Sequence, residues 1–149
     1  MPRRLTAADV LEVTGYSRDE LHALLRVLAP YNAERSSPRV AREFFPKDLV
    51  VLSVTQILEN RYGVRRTAVA EIGELLQDAL NGPKAANRDA RLWITVRPPH
   101  VGYVDGPSYA GEGMIVALGP IFEKVDRYLS FEPQLSLQFG PSIVARKYR

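Results

Sequence analysis

Apolar residues near the start of the chain recur every three or four positions in two short groups, the spacing of a buried helix face. Between the groups, Gly15 tolerates a positive φ angle, and Ser17 followed by Glu20 forms a capping-box pattern that begins a helix. The sequence therefore predicts two helices joined by a tight turn, the second over Ser17–Leu28. Its buried face comprises Leu21, Leu24, Leu25 and Leu28.

The opposite face of this second helix is polar and partly basic. Arg18, His22 and Arg26 are spaced by four residues and therefore stack on one side of the helix. Two helices joined by a glycine turn, the second with such a face, are typical of a helix-turn-helix that enters the DNA major groove. The pattern thus makes DNA binding the first hypothesis.

The helical spacing stops at Ala29-Pro30, and Tyr31–Phe45 is turn-rich and then extended. We interpret this segment as a β-hairpin or loop projecting from the helices, a wing. An ordinary solvated loop is the alternative, but a basic loop directly after a helix-turn-helix favours phosphate contact. The basic residues of the segment are Arg35, Arg39 and Arg42.

Two more helices are predicted after the wing. Pro46 suits the first position of a third helix, because its missing N–H would be unpaired there anyway, and this helix ends near Arg61. A fourth helix runs from about Arg66 to Leu80, with apolar residues at three- and four-residue spacings. Arg65 and Arg66 at its start form either a phosphate clamp with the free N–H groups of the helix end or a solvated helix end.

After Gly82-Pro83 the apolar spacing changes from helical to alternating, so the sequence predicts a domain boundary there, between residues 1–83 and 84–149. Strands are expected from Arg91, over Val101–Val104 and over Gly113–Leu118, the last of them buried, before a short helix from Pro120. Alternation returns at residues 135–139. The expected fold class is α+β: a winged helix-turn-helix with four helices, followed by a small strand-rich α+β segment.

Composition excludes several function classes. The 149 residues include no cysteine and two histidines, so thiolate chemistry is absent and a histidine metal site within one chain is not expected. No catalytic constellation, cofactor motif or P-loop stands out, and we expect no enzyme. The longest apolar run is five residues (Met114–Leu118), against roughly 20 needed to span a bilayer, and no signal peptide is visible. We therefore expect a cytoplasmic, nucleoid-associated protein with no membrane contact.

Four stretches within residues 5–80 occur in a recognisable order: LTAADV, TGYSRDEL, RVAREFFPKDLVVL and YGVRRTAVAEI. Together they resemble the winged-helix DNA-binding domain of the mercury-resistance-regulator (MerR) family and its excisionase relatives. The resemblance implies recognition-helix contacts from Ser17, Arg18, His22 and Arg26, and wing contacts from Arg35, Arg39 and Arg42. Members usually dimerise through a coiled coil after the fourth helix, which Pro83 and the strand pattern beyond it exclude here.

The sequence-based hypothesis is a sequence-specific regulator of transcription that binds double-stranded DNA, as a homodimer formed through residues 84–149. The aromatic residues of that segment suit either a dimer interface or a pocket for a small effector. A protein-binding adaptor or antitoxin-like module is the alternative, since residues 1–83 hold eleven Lys/Arg and eleven Asp/Glu. A small-ligand sensor with DNA output is the third. The aromatic residues concerned are Trp93, Tyr103, Tyr109 and Phe122.

Overall fold

In a computed structural model of the chain, residues 4–33, 42–81, 89–105 and 111–130 are described. They form an α+β fold of six α-helices, one short 3-10 turn (Tyr31–Ala33) and a three-stranded sheet. The helices are α1 (Ala7–Thr14), α2 (Arg18–Leu25), α3 (Pro46–Asn60), α4 (Arg66–Glu71), α5 (Gly73–Ala79) and α6 (Gly119–Leu129). The strands are β1 (Arg91–Val96), β2 (Pro99–Val104) and β3 (Met114–Ala117).

Helix α3 is the centre of the fold. It begins at Pro46, as the sequence predicts, and packs against α1, α4 and α6. Because neighbours surround it, its middle is apolar on nearly every side. The two buried hydroxyls bond to carbonyls of the same helix, Ser53 to Leu49 at 2.6 Å and Thr55 to Leu52 at 2.8 Å. The helix therefore buries no unpaired hydroxyl.

The sheet has the order β2-β1-β3, and both pairings are antiparallel. Side chains alternate along β1, so Leu92 and Ile94 are fully buried whereas Trp93 lies on the other face. The buried face joins the same apolar core as the helices, through contacts of β2 with α5 and of β1 with α4. One continuous core thus includes residues from both sides of the predicted domain boundary.

Helix α6 covers α1 and α3 with an apolar face. The sequence predicts this helix from Pro120, and the structure confirms it over Gly119–Leu129. Phe122 is a core residue with 8% of its surface exposed, so its side chain is used mainly in packing α6 onto the core. The buried side chains of α6 are those of Ile121, Phe122, Val125 and Leu129.

The predicted helix Ser17–Leu28 is shorter in the structure. Helix α2 ends at Leu25, Arg26 is its C-terminal cap, and Ser17 is its N-terminal cap. The N–H groups of Val27 and Leu28 both donate to the Leu24 carbonyl, at 3.0 Å, which tightens the last turn. Pro30 follows, and the helical conformation is disfavoured for the residue directly before a proline, which is Ala29 here. The chain therefore leaves the helix three residues earlier than its leucines suggest.

The predicted fourth helix is two helices, α4 and α5, so the first half of the chain contains five α-helices among its described residues rather than four. The break falls at Ile72, whose φ of −100° and ψ of 6° are not helical. Gly73 comes next and lies against the chain that follows α2, where an added Cβ would be 2.8 Å from a Leu28 methyl group and 3.2 Å from the Ala29 backbone. The break brings α5 close to that backbone, which the apolar spacing alone does not reveal.

Two strand predictions also need correction. The second strand begins at Pro99 rather than at Val101, because Arg97-Pro98 forms a hairpin turn and Pro99 pairs with Val96. Proline is tolerated at the first position of an edge strand, where its N–H is not needed. Strand β3 is not buried, since Ile115 and Ala117 are exposed and only Val116 is buried.

The predicted wing begins with the Tyr31–Ala33 turn, in agreement with its turn-rich start, and the N–H groups of Asn32 and Ala33 donate to the Leu28 and Pro30 carbonyls. At its other end, Phe44 forms an antiparallel bridge with Leu5, with the Phe44 N–H 3.1 Å from the Leu5 carbonyl. Phe45 then caps α3. Four further predictions lie outside the described residues: the wing turn with Arg35 and Arg39, the boundary at Gly82-Pro83, the role of Tyr109, and the alternation at residues 135–139.

Candidate nucleic-acid interface

The turn between α1 and α2 is fixed by local hydrogen bonds. Gly15 has a φ of 83°, and its N–H donates to the Leu11 carbonyl at 2.9 Å, which closes α1. The capping box predicted at Ser17 is confirmed. The Ser17 N–H donates to Glu20 Oε1 at 2.8 Å, and the Glu20 N–H donates to Ser17 Oγ at 3.1 Å. Ser17, a predicted DNA contact, therefore uses its hydroxyl oxygen as the cap of α2.

The buried face of α2 confirms the sequence prediction, since Leu21, Leu24, Leu25 and Leu28 are all buried. Burial of these side chains fixes the rotation of the helix about its axis, because a helix with one apolar stripe has one favourable orientation on a core. The opposite face, with Arg18, His22 and Arg26, is exposed. The basic side chains therefore share one outward face, although Arg26 lies just past the helix end.

These three side chains line a groove of about 500 Å³ between α2 and the two ends of the predicted wing. Arg42, which is half-buried, lines the same groove from the returning end, and Asn32 lines it from the 3-10 turn. No carboxylate is among the described residues that line it. Within the described part of the chain, the side chains of Arg18, His22 and Arg26 form no hydrogen bond or ion pair, so their donors are available to a ligand.

The far side of the groove is held by Tyr31, which is buried. Its hydroxyl donates to Asp48 on α3 and accepts from Gln77 Nε2 on α5 at 3.3 Å. Its ring lies 6.4 Å from that of Phe44, between centroids. Both ends of the predicted wing are thus anchored to the helical core. Asn32 was missed from sequence, since a lone asparagine in a turn carries no signal until the fold places it opposite α2.

Two carboxylates, Asp19 and Glu20, lie in the first turn of α2 beside the basic face. Glu20 is explained by the capping box: hydrogen bonds from the Ser17 backbone and then its side chain lower the pKa of this exposed carboxyl, with a smaller contribution from the Arg66 charge. Asp19 has no such partner among the described residues, but an acidic residue in the first turn is stabilised by the helix dipole. Both acids therefore serve the start of the helix.

Arg66 has a structural partner. Its Nε and Nη2 donate to the two carboxylate oxygens of Glu59 at 3.0 and 3.1 Å. Tyr16, in the turn before α2, donates to the same carboxylate at 2.9 Å and lies 3.1 Å from the Thr55 hydroxyl. The hydrogen-bonded Glu59 raises the pKa of Arg66, and burial raises that of Tyr16. This network joins the turn before α2 to α3 and the start of α4.

Arg65 differs from its neighbour. It is exposed at the N-terminal cap of α4 and has no partner among the described residues. Of the two predicted phosphate-clamp residues, Arg65 thus has its guanidinium free of any described partner, whereas two donors of Arg66 are engaged with Glu59. The sequence pattern does not distinguish the two arginines, because the partner of Arg66, Glu59, lies on the preceding helix.

The described ranges contain no cluster of three or more histidine and acidic side chains that would suit a metal ion. None of their helices combines the length and apolar character required to cross a bilayer.

Comparison with known proteins returned no match from protein-family models, from curated proteins or from solved structures. Function is therefore inferred from this chain's own residues and geometry.

Proposed function

We propose that this protein is a sequence-specific DNA-binding regulator of transcription, with a winged helix-turn-helix in which α2 enters the major groove. One observation carries the proposal: Arg18, His22, Arg26 and Arg42 line one groove that contains no carboxylate among its described residues. Such a surface suits a polyanion, because phosphates attract cations and base edges accept hydrogen bonds from arginine. The burial of the apolar face of α2 supports a recognition role, since base contacts require fixed geometry.

The roles follow from position. Arg18 and Arg26 are assigned to base edges, where one arginine can donate two hydrogen bonds to O6 and N7 of guanine. His22 lies between them and is assigned to a base edge or phosphate. Arg42, with Arg35 and Arg39 of the wing, is assigned to the DNA backbone and minor groove. Ser17 is assigned to phosphate by its position at the start of α2, although its hydroxyl also serves the capping box with Glu20.

Arg65 is assigned to phosphate and Arg66 to positioning. The Glu59 carboxylate engages Arg66 and the Tyr16 hydroxyl together, so Arg66 contributes to holding the turn that precedes α2. Arg65 has no such engagement in the described residues. The two adjacent arginines therefore form a natural pair of variants, one for affinity and one for stability.

We further propose that two copies bind a two-part site, with the α2 helices about one DNA turn apart. Association through residues 84–149 would take the place of the coiled coil through which members of the MerR family usually dimerise, and which Pro83 excludes here. A second candidate function is a protein-binding module that uses the same α1-turn-α2 unit. The zero net charge of residues 1–83, with eleven Lys/Arg against eleven Asp/Glu, favours this candidate.

A gel-shift experiment with a random-sequence DNA duplex separates the two candidates. A DNA-binding protein retards the duplex, and the shift weakens steeply as salt rises, because bound phosphates release counterions. A protein-binding module gives no shift at low salt. Absence of retardation at low salt would therefore remove the DNA proposal and leave the protein-binding candidate.

A further inference from the structure

Strand β3 presents an unpaired edge, since β1 is its one neighbour among the described residues. The Leu118 N–H donates to the Ala90 carbonyl at 2.9 Å, which fixes the alternation of the antiparallel ladder. Leu92–Val116 is then a hydrogen-bonded pair, whereas Ile115 and Ala117 direct their backbone N–H and C=O groups away from β1. The edge therefore offers alternating donors and acceptors.

A groove of about 410 Å³ runs along this edge, between β3, α3 and the start of α6. Part of its lining is apolar, with Ile57, Val116 and Ile121 among the residues. Its charged lining consists of Arg61 and Lys124, both exposed, and no carboxylate of the described residues lines it. Neither cation forms an ion pair within the described residues. Positive charge beside a strand edge distinguishes this groove from an ordinary surface depression.

The edge is also marked by exposed apolar side chains. Ile115 is 36% and Tyr62 46% exposed, two of the four large hydrophobic residues at the surface of the described chain. The Tyr62 hydroxyl donates to the Ile115 carbonyl at 2.7 Å. Tyr62 thus supplies one bond that a neighbouring strand would otherwise make. The outward groups of Ala117 have no such substitute among the described residues.

We propose that the β3 edge and this groove bind an extended acidic segment of a partner protein, which adds to the sheet as a fourth strand. Strand addition explains the alternating backbone groups, and the two cations select negative side chains. The site lies on β3, α3 and α6, away from the basic face of α2. The proposal stands whether or not α2 binds DNA.

Other occupants fit the edge less well. A nucleic-acid backbone offers acceptors, which leaves the outward carbonyl of Ala117 without a donor. A second copy of the chain would add the same two cations to the same groove, and like charges repel. An acidic peptide instead satisfies the outward backbone groups and the rim charges together.

The test uses a fluorescein-labelled peptide, Val-Glu-Val-Glu-Val-Glu, titrated with the full chain and followed by fluorescence anisotropy. We expect saturable binding that weakens as salt rises. Reversing both cations, Arg61→Glu with Lys124→Glu, should weaken binding about tenfold, which corresponds to two exposed ion pairs. The same variant should gain binding of Val-Lys-Val-Lys-Val-Lys. The control Arg18→Glu with Arg26→Glu makes the same charge change on α2 and should leave peptide binding unchanged.

Two backbone variants test strand addition itself. Ala117→Pro removes an outward N–H and should abolish binding while far-ultraviolet circular dichroism stays unchanged. Should that variant fail to fold, Tyr62→Phe carries the test, because it frees the Ile115 carbonyl for the incoming strand. Tyr62→Phe should strengthen binding about two- to tenfold, the effect of one hydrogen bond.

Three results would overturn the proposal. The first is no binding of the acidic peptide, or binding that the charge reversal leaves unchanged. The second is displacement of the peptide from this edge by duplex DNA, together with loss of that displacement in the variant Arg61→Glu with Lys124→Glu. The third is a wild-type dimer, seen by sedimentation, that Ala117→Pro separates into monomers, which would assign the edge to a second copy.

Discussion

The hydroxyl of Tyr128 on α6 donates a hydrogen bond to Oδ1 of Asp9 on α1, at 2.5 Å and across 119 positions of sequence. Asp9 is 4% exposed, and its other oxygen accepts from the Thr6 N–H at 2.7 Å. The carboxylate thus caps the first helix and ties it to the last described one. Helix α6 is thereby joined to α1 by a polar contact as well as by the shared core.

Replacing Tyr128 with phenylalanine should lower the free energy of unfolding by about 1–3 kcal/mol, because a buried carboxylate loses a hydrogen bond. Urea denaturation measures the loss. Tyr62→Phe is the matched control: it removes the same group from an exposed site and should change stability by less than about 0.5 kcal/mol. Equal losses in the two variants would contradict the structural role of the Tyr128–Asp9 bond.

A second prediction concerns Gly113, whose φ is 153°. The Trp93 Nε1–H donates to the Glu112 carbonyl at 2.7 Å, and this places the indole against Gly113. An added Cβ would overlap Trp93 Nε1 and lie 2.9 Å from the Ile94 carbonyl. Gly113→Ala should therefore destabilise the fold by about 2 kcal/mol or more, combining backbone strain with a clash.

The control for Gly113→Ala is Gly63→Ala. Gly63 also has a positive φ, 68°, but nothing lies within 4 Å of its added Cβ. Backbone strain alone should then cost about 1–2 kcal/mol. Thermal denaturation compares the two variants, and a smaller loss at Gly113 than at Gly63 would contradict the contact with Trp93.

The adjacent arginines give a third prediction. Arg66→Ala should lower stability by about 1–2 kcal/mol, because it leaves the largely buried Glu59 carboxylate with fewer partners. Arg65→Ala, at an exposed cap, should change stability by less than about 0.5 kcal/mol yet reduce the salt slope of DNA binding by about 1. Denaturation and duplex titrations over a salt series measure both. A stability loss confined to Arg65→Ala would contradict the assignment.

The residues changed in these variants also show which features can be predicted from the sequence and which cannot. Apolar spacing predicted α1, α3, α6 and the first two strands, and local chemistry predicted the cap at Ser17, because such signals lie within a few residues. The break at Ile72 and the Arg66–Glu59 pair depend on contacts between separate helices. Neither can be predicted from the spacing of apolar residues along the chain.

The same holds for the two grooves. The spacing of Arg18, His22 and Arg26 placed them correctly on one face of α2, as a helix repeat dictates. Asn32 opposite them and the cations beside β3 were not found, because each comes from a different element and only the fold brings them together. Sequence reasoning thus found the basic face but neither groove.

A fourth prediction follows from the tyrosines. Burial, with a smaller effect of the Asp105 charge, raises the pKa of Tyr103 to about 12, and burial raises that of Tyr16. In the unfolded chain both phenols ionise near pH 10, so their contribution to stability is complete below that pH and is lost as pH rises through the folded-state values. Urea midpoints should therefore stay level from neutral pH to about 9 and fall above about 10.

Tyr103→Phe tests the assignment, because phenylalanine does not titrate. The fall of the urea midpoint between pH 10 and about 12 should be shallower in this variant than in the wild type. An identical alkaline slope in wild type and Tyr103→Phe would show that Tyr103 does not cause the fall of the urea midpoint.

The wing gives a fifth prediction. Neutralising Arg35, Arg39 and Arg42 together should weaken binding to all duplexes and flatten the salt dependence, by about 0.9 in slope for each phosphate that is no longer neutralised. Titration of random and selected duplexes at several salt concentrations measures this. An unaltered slope would remove the wing from the DNA interface.

The central claim is that the exposed face of α2 recognises DNA sequence. Its most direct test is selection of duplexes from a random pool with the wild-type chain, followed by footprinting of the selected site with wild type and with Arg18→Ala plus Arg26→Ala. We expect an enriched two-part site whose protection disappears in the double variant, at about 1–3 kcal/mol of binding free energy for each base-contacting arginine. No enriched sequence, or an identical footprint with the double variant, would contradict the claim.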